Sequence, residues 1–158
     1  MRAWPPPVYD MEAEFDAPLP FVYRWCTDYS AQDGALSGDG YERRVIQRSK
    51  RRVVFEDLWW ESDGWRWRRY DVTLLPPRGW RAESIGNVRD LESVYRLTEL
   101  PDERTHLFIR VRRRPGPRSN GQPTKKAFEN EVESMWKILG KNLEKDYRAS
   151  RRRRPGTR

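Results

Sequence analysis

A long amphipathic run near the C-terminus limits what this chain can fold into. From about Pro123 to Tyr147, the residues Phe128, Val132, Met135, Trp136, Leu139, Leu143 and Tyr147 recur at steps of three and four. That spacing is the apolar stripe of an α-helix. The opposite face carries Lys126, Glu129, Asn130, Glu133, Lys137, Lys141, Glu144 and Lys145. At about 1.5 Å per residue the helix is roughly 35 Å long. No other segment keeps a period near 3.6 for more than three turns. Residues 40–113 instead alternate, or run in short β-branched and aromatic bursts. The sequence therefore pairs one long C-terminal helix with a set of strands.

The strands can be placed in order. Val8 to Phe15 alternates Tyr9, Met11, Ala13 and Phe15 against Asp10, Glu12, Glu14 and Asp16, a half-buried strand. Ala17-Pro18-Leu19-Pro20 ends it and permits a short helix, because proline is tolerated in a first turn. Phe21, Val22, Trp25 and Cys26 give that helix its inward face. Asp28-Tyr29-Ser30 is expected to open a second short helical piece, broken by Gly34, Gly38 and Gly40. Strands follow at Tyr41–Ser49, Arg52–Trp60, Trp65–Leu75, Trp80–Ile85, Leu91–Leu97 and Thr105–Arg113. Turn signals at Asp63-Gly64, Pro76-Pro77-Arg78-Gly79, Gly86-Asn87 and Pro101-Asp102-Glu103 separate most of them. Successive strands at hairpin spacing make an antiparallel meander. Residues 115–121 read as a loop before the helix.

Charge does not single out nucleic acid as the partner. The formal charge is +8, but six arginines lie after Tyr147, and without them 26 basic residues face 24 acidic ones. The expected organisation is one domain over residues 1–148 and a basic, disordered tail over 149–158. Binding of nucleic acid or of an anionic surface through these arginines, joined by Arg110, Arg112, Arg113, Arg114 and Arg118 as one basic area, is an alternative of low specificity beside a solvated strand face and tail. Cys26 is the only cysteine and His106 the only histidine, so ordinary zinc sites lack ligands. No phosphate loop, nucleophile elbow or triad pattern is present. The reading is no metal and no cofactor. With no run approaching the roughly 18 apolar residues of a membrane span, and no signal-peptide core, a cytoplasmic protein is expected.

The order strand, two short helices, six strands, long helix resembles the START-like helix-grip superfamily, also written SRPBCC. Its members include polyketide cyclases and dehydrases and lipid-transfer domains. The local resemblance is strongest at Glu14-Phe15-Asp16-Ala17-Pro18-Leu19-Pro20-Phe21-Val22-Tyr23-Arg24-Trp25-Cys26-Thr27-Asp28-Tyr29, and the element order extends it over residues 8–147. The resemblance implies an α+β fold in which a curved antiparallel sheet of about seven strands wraps around the C-terminal helix. It also implies an apolar or amphipathic small molecule held between the two. Some members catalyse reactions and many do not, so a cyclase or dehydratase on the same scaffold stays open, with binding favoured.

Alternation then nominates residues for the inner face. On the helix they are Phe128, Val132, Met135, Trp136 and Leu139, with Gly140 leaving space beside them. In Trp65–Leu75, Tyr70, Val72 and Leu74 form the apolar stripe and bring Arg68 with them. In Leu91–Leu97, Tyr95 falls with Leu91, Ser93 and Leu97. In Arg52–Trp60, either Val53-Phe55-Asp57-Trp59 or Val54-Glu56-Leu58-Trp60 points inward, and each brings one carboxylate. Phe55, Asp57 and Trp59 are taken as the lining candidates, and an inward carboxylate needs an arginine such as Arg68. Trp59 and Trp60 cannot both face inward without a bulge. His106 alternates away from Leu107, Ile109 and Val111 and is no candidate base. The ligand and the oligomeric state are not specified by the sequence.

Overall fold

A computed structural model describes residues 8–38, 40–87, 90–114 and 124–153. Strand β1 (Val8–Phe15) is followed by helices α1 (Leu19–Thr27) and α2 (Asp33–Ser37). Six strands come next: β2 (Glu42–Arg48), β3 (Arg52–Glu61), β4 (Gly64–Leu75), β5 (Gly79–Gly86), β6 (Asp90–Leu100) and β7 (Arg104–Arg114). Helix α3 (Lys125–Arg152) follows. All seven strands form one antiparallel sheet in the order β1-β7-β6-β5-β4-β3-β2. The sheet curves around α3, the α+β helix-grip arrangement expected from the element order. The loop expected over residues 115–121 lies outside the described residues.

Register decides the inner face. Rows of paired residues cross it, of which the most continuous run Phe55–Tyr70–Ser84–Leu91–Arg113 and Val53–Val72–Ala82–Ser93–Val111–Tyr9. A third joins Leu74, Trp80, Tyr95, Ile109 and Met11. Burial follows the rows: Val53, Val72 and Leu107 are fully buried, with Tyr9, Trp80 and Ile109 nearly so. The open choice in β3 is settled for Val53-Phe55-Asp57-Trp59. Trp59 is half-buried, and Trp60 faces out at 61% exposure, edge-on to Trp65. No bulge was needed in β3; the irregularity falls in β2, between Val45 and Gln47.

Helix α3 starts where Thr124 Oγ1 accepts the Ala127 amide at 3.1 Å, an N-cap that satisfies one orphan donor. It runs past Tyr147 to Arg152, so residues 149–152, expected in a disordered tail, are helical; residues 154–158 lie outside the described part. The helix packs over β1, α2 and α1. Phe128 meets Tyr9 with ring centres 4.5 Å apart. Gly140 sits so close to Phe15 that an added Cβ would be 3.1 Å from the ring. Trp25 Nε1 donates to Asp146 at 2.8 Å, and Asn142 Nδ2 to the Leu36 carbonyl at 2.8 Å, which tie α1 and α2 to the same helix.

The second short helix departs from the sequence expectation. Asp28-Tyr29-Ser30 is not helical: Tyr29 has φ 46°, a left-handed conformation, and α2 begins only at Asp33. Gly34 lies inside α2 because a Cβ there would stand 2.1 Å from the Tyr41 carbonyl oxygen. That glycine permits contact between the helix and the start of β2. Among the described residues, no helix is long and apolar enough to cross a membrane.

Candidate functional site

The inner face divides into packed residues and residues that keep accessible surface. Of the twelve candidates, Phe55, Asp57, Val72, Phe128 and Trp136 are buried, and Val72 at 0% is purely core. Trp59, Arg68, Tyr70, Tyr95, Val132, Met135 and Leu139 are half-buried. Phe55 stacks on Tyr70 with centres 4.7 Å apart and planes 20° from parallel. Tyr95 stacks on Trp80 at 4.7 Å and lies 6.3 Å from Trp136. Offset aromatic pairs of this kind contribute about 0.5–1.5 kcal/mol beyond area burial.

A second set of residues completes the ring. Tyr29, on the turn after α1, packs on Phe55 at 4.8 Å, and Cys26 on α1 joins the same core. Burial is the main reason that the Tyr29 hydroxyl is pushed well above its ordinary range. The same desolvation pushes the Cys26 thiol far up, reinforced by Asp28 and Asp33. Tyr95 is pushed up to about 12, first by burial, then by Tyr70 and Cys26. These groups lie within electrostatic reach of one another although they come from α1, the following turn, β4 and β6. All of them nevertheless retain accessible surface.

Arg68 does not take Asp57 as its partner. Its Nη1 donates to the Tyr70 hydroxyl at 2.6 Å, and its guanidinium lies 5.2 Å from the Trp59 ring centre. Burial works against its charge, but Tyr70 and the carboxylates of Asp57 and Glu131 outweigh that and raise its pKa. Asp57 is held by Arg43 instead: Nε donates to Oδ1 at 2.7 Å and Nη2 to Oδ2 at 2.9 Å. Arg43 also pairs with Asp33 and stands 4.1 Å above the Phe55 ring. This two-pronged pair is geometrically the strong kind. It locks α2 and β2 onto β3, and so fixes the wall on which Tyr29 rests.

Sequence reasoning missed Arg43, Asp33 and Tyr29. The first was hidden because β2 is otherwise exposed along nearly its whole length. The alternation Tyr41, Arg43 was the available signal. His106 lies on the outer face, 3.5 Å from Glu12 across the β1–β7 ladder, as its position in the strand implied. A groove of about 480 Å³, lined by Glu42, Arg43, Arg44, Glu56, Asp57, Leu58 and Trp67, lies along the β2–β3 side and is a surface feature.

No family model matches the sequence, and no curated protein matches it. Solved structures do match its shape. A START superfamily protein from Mycobacterium smegmatis superimposes with a TM-score of 0.66 at 13% identity, covering 87% of this chain and 97% of that one. A protein from Thermus thermophilus gives 0.67 at 16% identity, covering 87% and 97%. The Zhui aromatase/cyclase from a Streptomyces species gives 0.63 at 14% identity, covering 94% and 96%. The chain has the START-like helix-grip fold. At these identities the likeness establishes the fold alone.

Proposed function

We propose that this protein binds an apolar or aromatic small molecule, lipid-like or polyketide-like, between the curved sheet and α3. One observation carries the reading. Tyr29, Cys26, Tyr70, Arg68 and Tyr95 converge from four parts of the fold, are desolvated enough to shift the titration of Tyr29, Cys26 and Tyr95, and yet keep accessible surface. A packed core removes that surface, and bulk water removes the desolvation. An interior space lined by these side chains accounts for both. Such sites are mostly apolar, with a few placed polar groups that orient the guest, as Arg68 and the tyrosines would. Met135 and Leu139 of α3 close the space from the other side.

Native mass spectrometry of the purified protein tests the reading. A co-purified small molecule, or one-to-one complexes with added laurate, lauryl alcohol or naphthylethanol, is the expected result. A species that takes up no apolar guest refutes it.

An enzyme of the cyclase or dehydratase type on this scaffold is the second reading, favoured only by the polar groups facing inward. Tyr95 would have to carry it as a proton donor rather than a base, because a tyrosine pushed up to about 12 stays neutral near pH 7, with Arg68 as a charged hydrogen-bond donor to the substrate. Turnover of a poly-β-ketone thioester that survives Tyr95→Phe and Arg68→Met together would argue against that assignment.

A further inference from the structure

The C-terminal end of β7 contains a buried arginine, two of whose nitrogens have no hydrogen-bond partner among the described residues. Along that strand Arg110 and Arg112 point outward and reach Asp10 at 2.8 Å and Glu92 at 4.0 Å. Arg113 continues the inward stripe of Leu107, Ile109 and Val111, and is only 3% exposed. Its Nε and Nη1 are buried and have no hydrogen-bond partner among the described residues. A guanidinium cannot shed its proton in a protein, so burial without an acceptor is costly. Native folds rarely leave such a group unanswered without a reason.

The row that Arg113 ends carries a second unanswered group. Leu91 is its register partner, Ser84 pairs with Leu91, and Tyr70 with Ser84. Ser84 Oγ is buried and likewise lacks a partner among the described residues. The Tyr70 hydroxyl accepts from Arg68, which leaves its own proton free to donate. One row of the inner face thus presents the Tyr70 hydroxyl, an unmatched serine hydroxyl and an unmatched cation. Ser84 and Arg113 stand two strand spacings apart, about 10 Å along a flat sheet and less on the concave side of a curved one.

We propose that this row, Tyr70–Ser84–Leu91–Arg113, is an anion subsite that takes the carboxylate or phosphate head of the molecule bound in the interior. The proposal rests on the interior-binding reading and narrows it to amphipathic acids. The apolar body lies against Phe55, Trp80 and Tyr95, and the acidic head meets Arg113 and Ser84. Arginine suits the role because its planar donors match flat oxyanions and it keeps its charge when desolvated.

Matched probes test it by isothermal titration: laurate, lauryl phosphate, lauryl alcohol and laurylamine, and naphthylacetate against naphthylethanol. The wild-type chain should bind an acid at least tenfold more tightly than the alcohol of the same body. Arg113→Met should erase that preference while alcohol binding stays within about twofold. Ser84→Ala should reduce the preference several-fold. A stronger response to lauryl phosphate than to laurate identifies phosphate as the head, and the reverse identifies carboxylate. Thermal unfolding guards against a misfolded variant: Arg113→Met should melt at or above the wild-type temperature without ligand, since it removes an unmatched buried charge. Equal affinity for acid and alcohol, a preference for the amine, or an unchanged preference in Arg113→Met overturns the subsite while leaving interior binding intact. Binding of no probe overturns both.

Discussion

Replacing Asp57 by alanine should destabilise the fold far more than its single charge suggests. Asp57 is 4% exposed and takes two hydrogen bonds from Arg43, whose side chain is 6% exposed. Removing one partner of a buried pair typically costs about 3–5 kcal/mol, because it strands the other charge. Arg43 keeps Asp33, so the lower part of that range applies, about 3 kcal/mol. For a chain of this size that corresponds to a melting temperature lower by roughly 6–12 °C. The double variant Arg43→Met with Asp57→Leu removes both charges and keeps apolar volume over Phe55. It should lie within about 1 kcal/mol of wild type, because well-packed apolar replacements of buried pairs are often neutral. Asp33 tolerates the loss of Arg43 because its side chain is 20% exposed and accepts from Ser30 Oγ at 3.0 Å. Urea unfolding of the wild type, both single variants and the double variant gives the coupling energy directly. Additive single effects, or an Asp57→Ala cost under about 1 kcal/mol, would refute the claim that the pair locks α2 and β2 to β3.

Other consequences can be checked alongside. Gly140→Ala should be close to neutral, since about 1 kcal/mol of helix propensity opposes a Cβ placed 3.1 Å from the Phe15 ring. Gly140→Leu overpacks the same contact and should cost about 1–3 kcal/mol in chemical denaturation; a stable leucine variant would show that α3 does not seat on Phe15. Cys26, with its thiol pushed far up by burial, should resist Ellman's reagent at pH 8 in the native protein and react fully in urea; rapid native labelling would contradict its desolvation. Tyr95 and Tyr41 are pushed up to about 12, first by burial, against about 10 in the unfolded chain. Raised values mean that the fold favours the neutral phenols, so this stability is complete below pH 10 and is lost as pH rises toward 12. Stability measured against pH should decline over that window, less steeply in Tyr95→Phe with Tyr41→Phe. A flat alkaline limb in the wild type would count against the shifts.

Much of this molecule is readable without coordinates, and the reason is periodicity. The stripe Phe128, Trp136, Leu143 fixes a helix with one buried face, because 3.6 residues per turn admit no other use of that spacing. The twofold alternation of Tyr9-Met11-Ala13-Phe15 and of Tyr70-Val72-Leu74 fixes strands and, up to one choice per strand, their inward sides. Arg68 and Tyr95 were placed correctly by that rule alone. Carried two residues past Val111, the same rule turns Arg113 inward, but its place in a run of arginines disguises it as surface charge.

Tertiary structure decided what alternation leaves symmetric. Either face of β3 has apolar residues and one carboxylate, and only the register with β2 and β4 put Asp57 inside. Register sets an arginine opposite it on each side, and the one that took the carboxylate is Arg43, which Asp33 and the Phe55 ring also hold. Arg68, opposite Asp57 on the other side, turned to Tyr70 and Trp59. The bend at Tyr29 and the start of α2 at Asp33 also depended on contacts distant in sequence: Phe55 under Tyr29, and the Tyr41 carbonyl against Gly34. By itself the periodicity determined a set of strands and one long C-terminal helix, because it is written residue by residue, while the grip of sheet on helix was what the family resemblance implied. Which charges are matched inside the grip, and which, like Arg113, keep buried donors without a partner among the described residues, was decided only by strand register and packing, which no local pattern encodes.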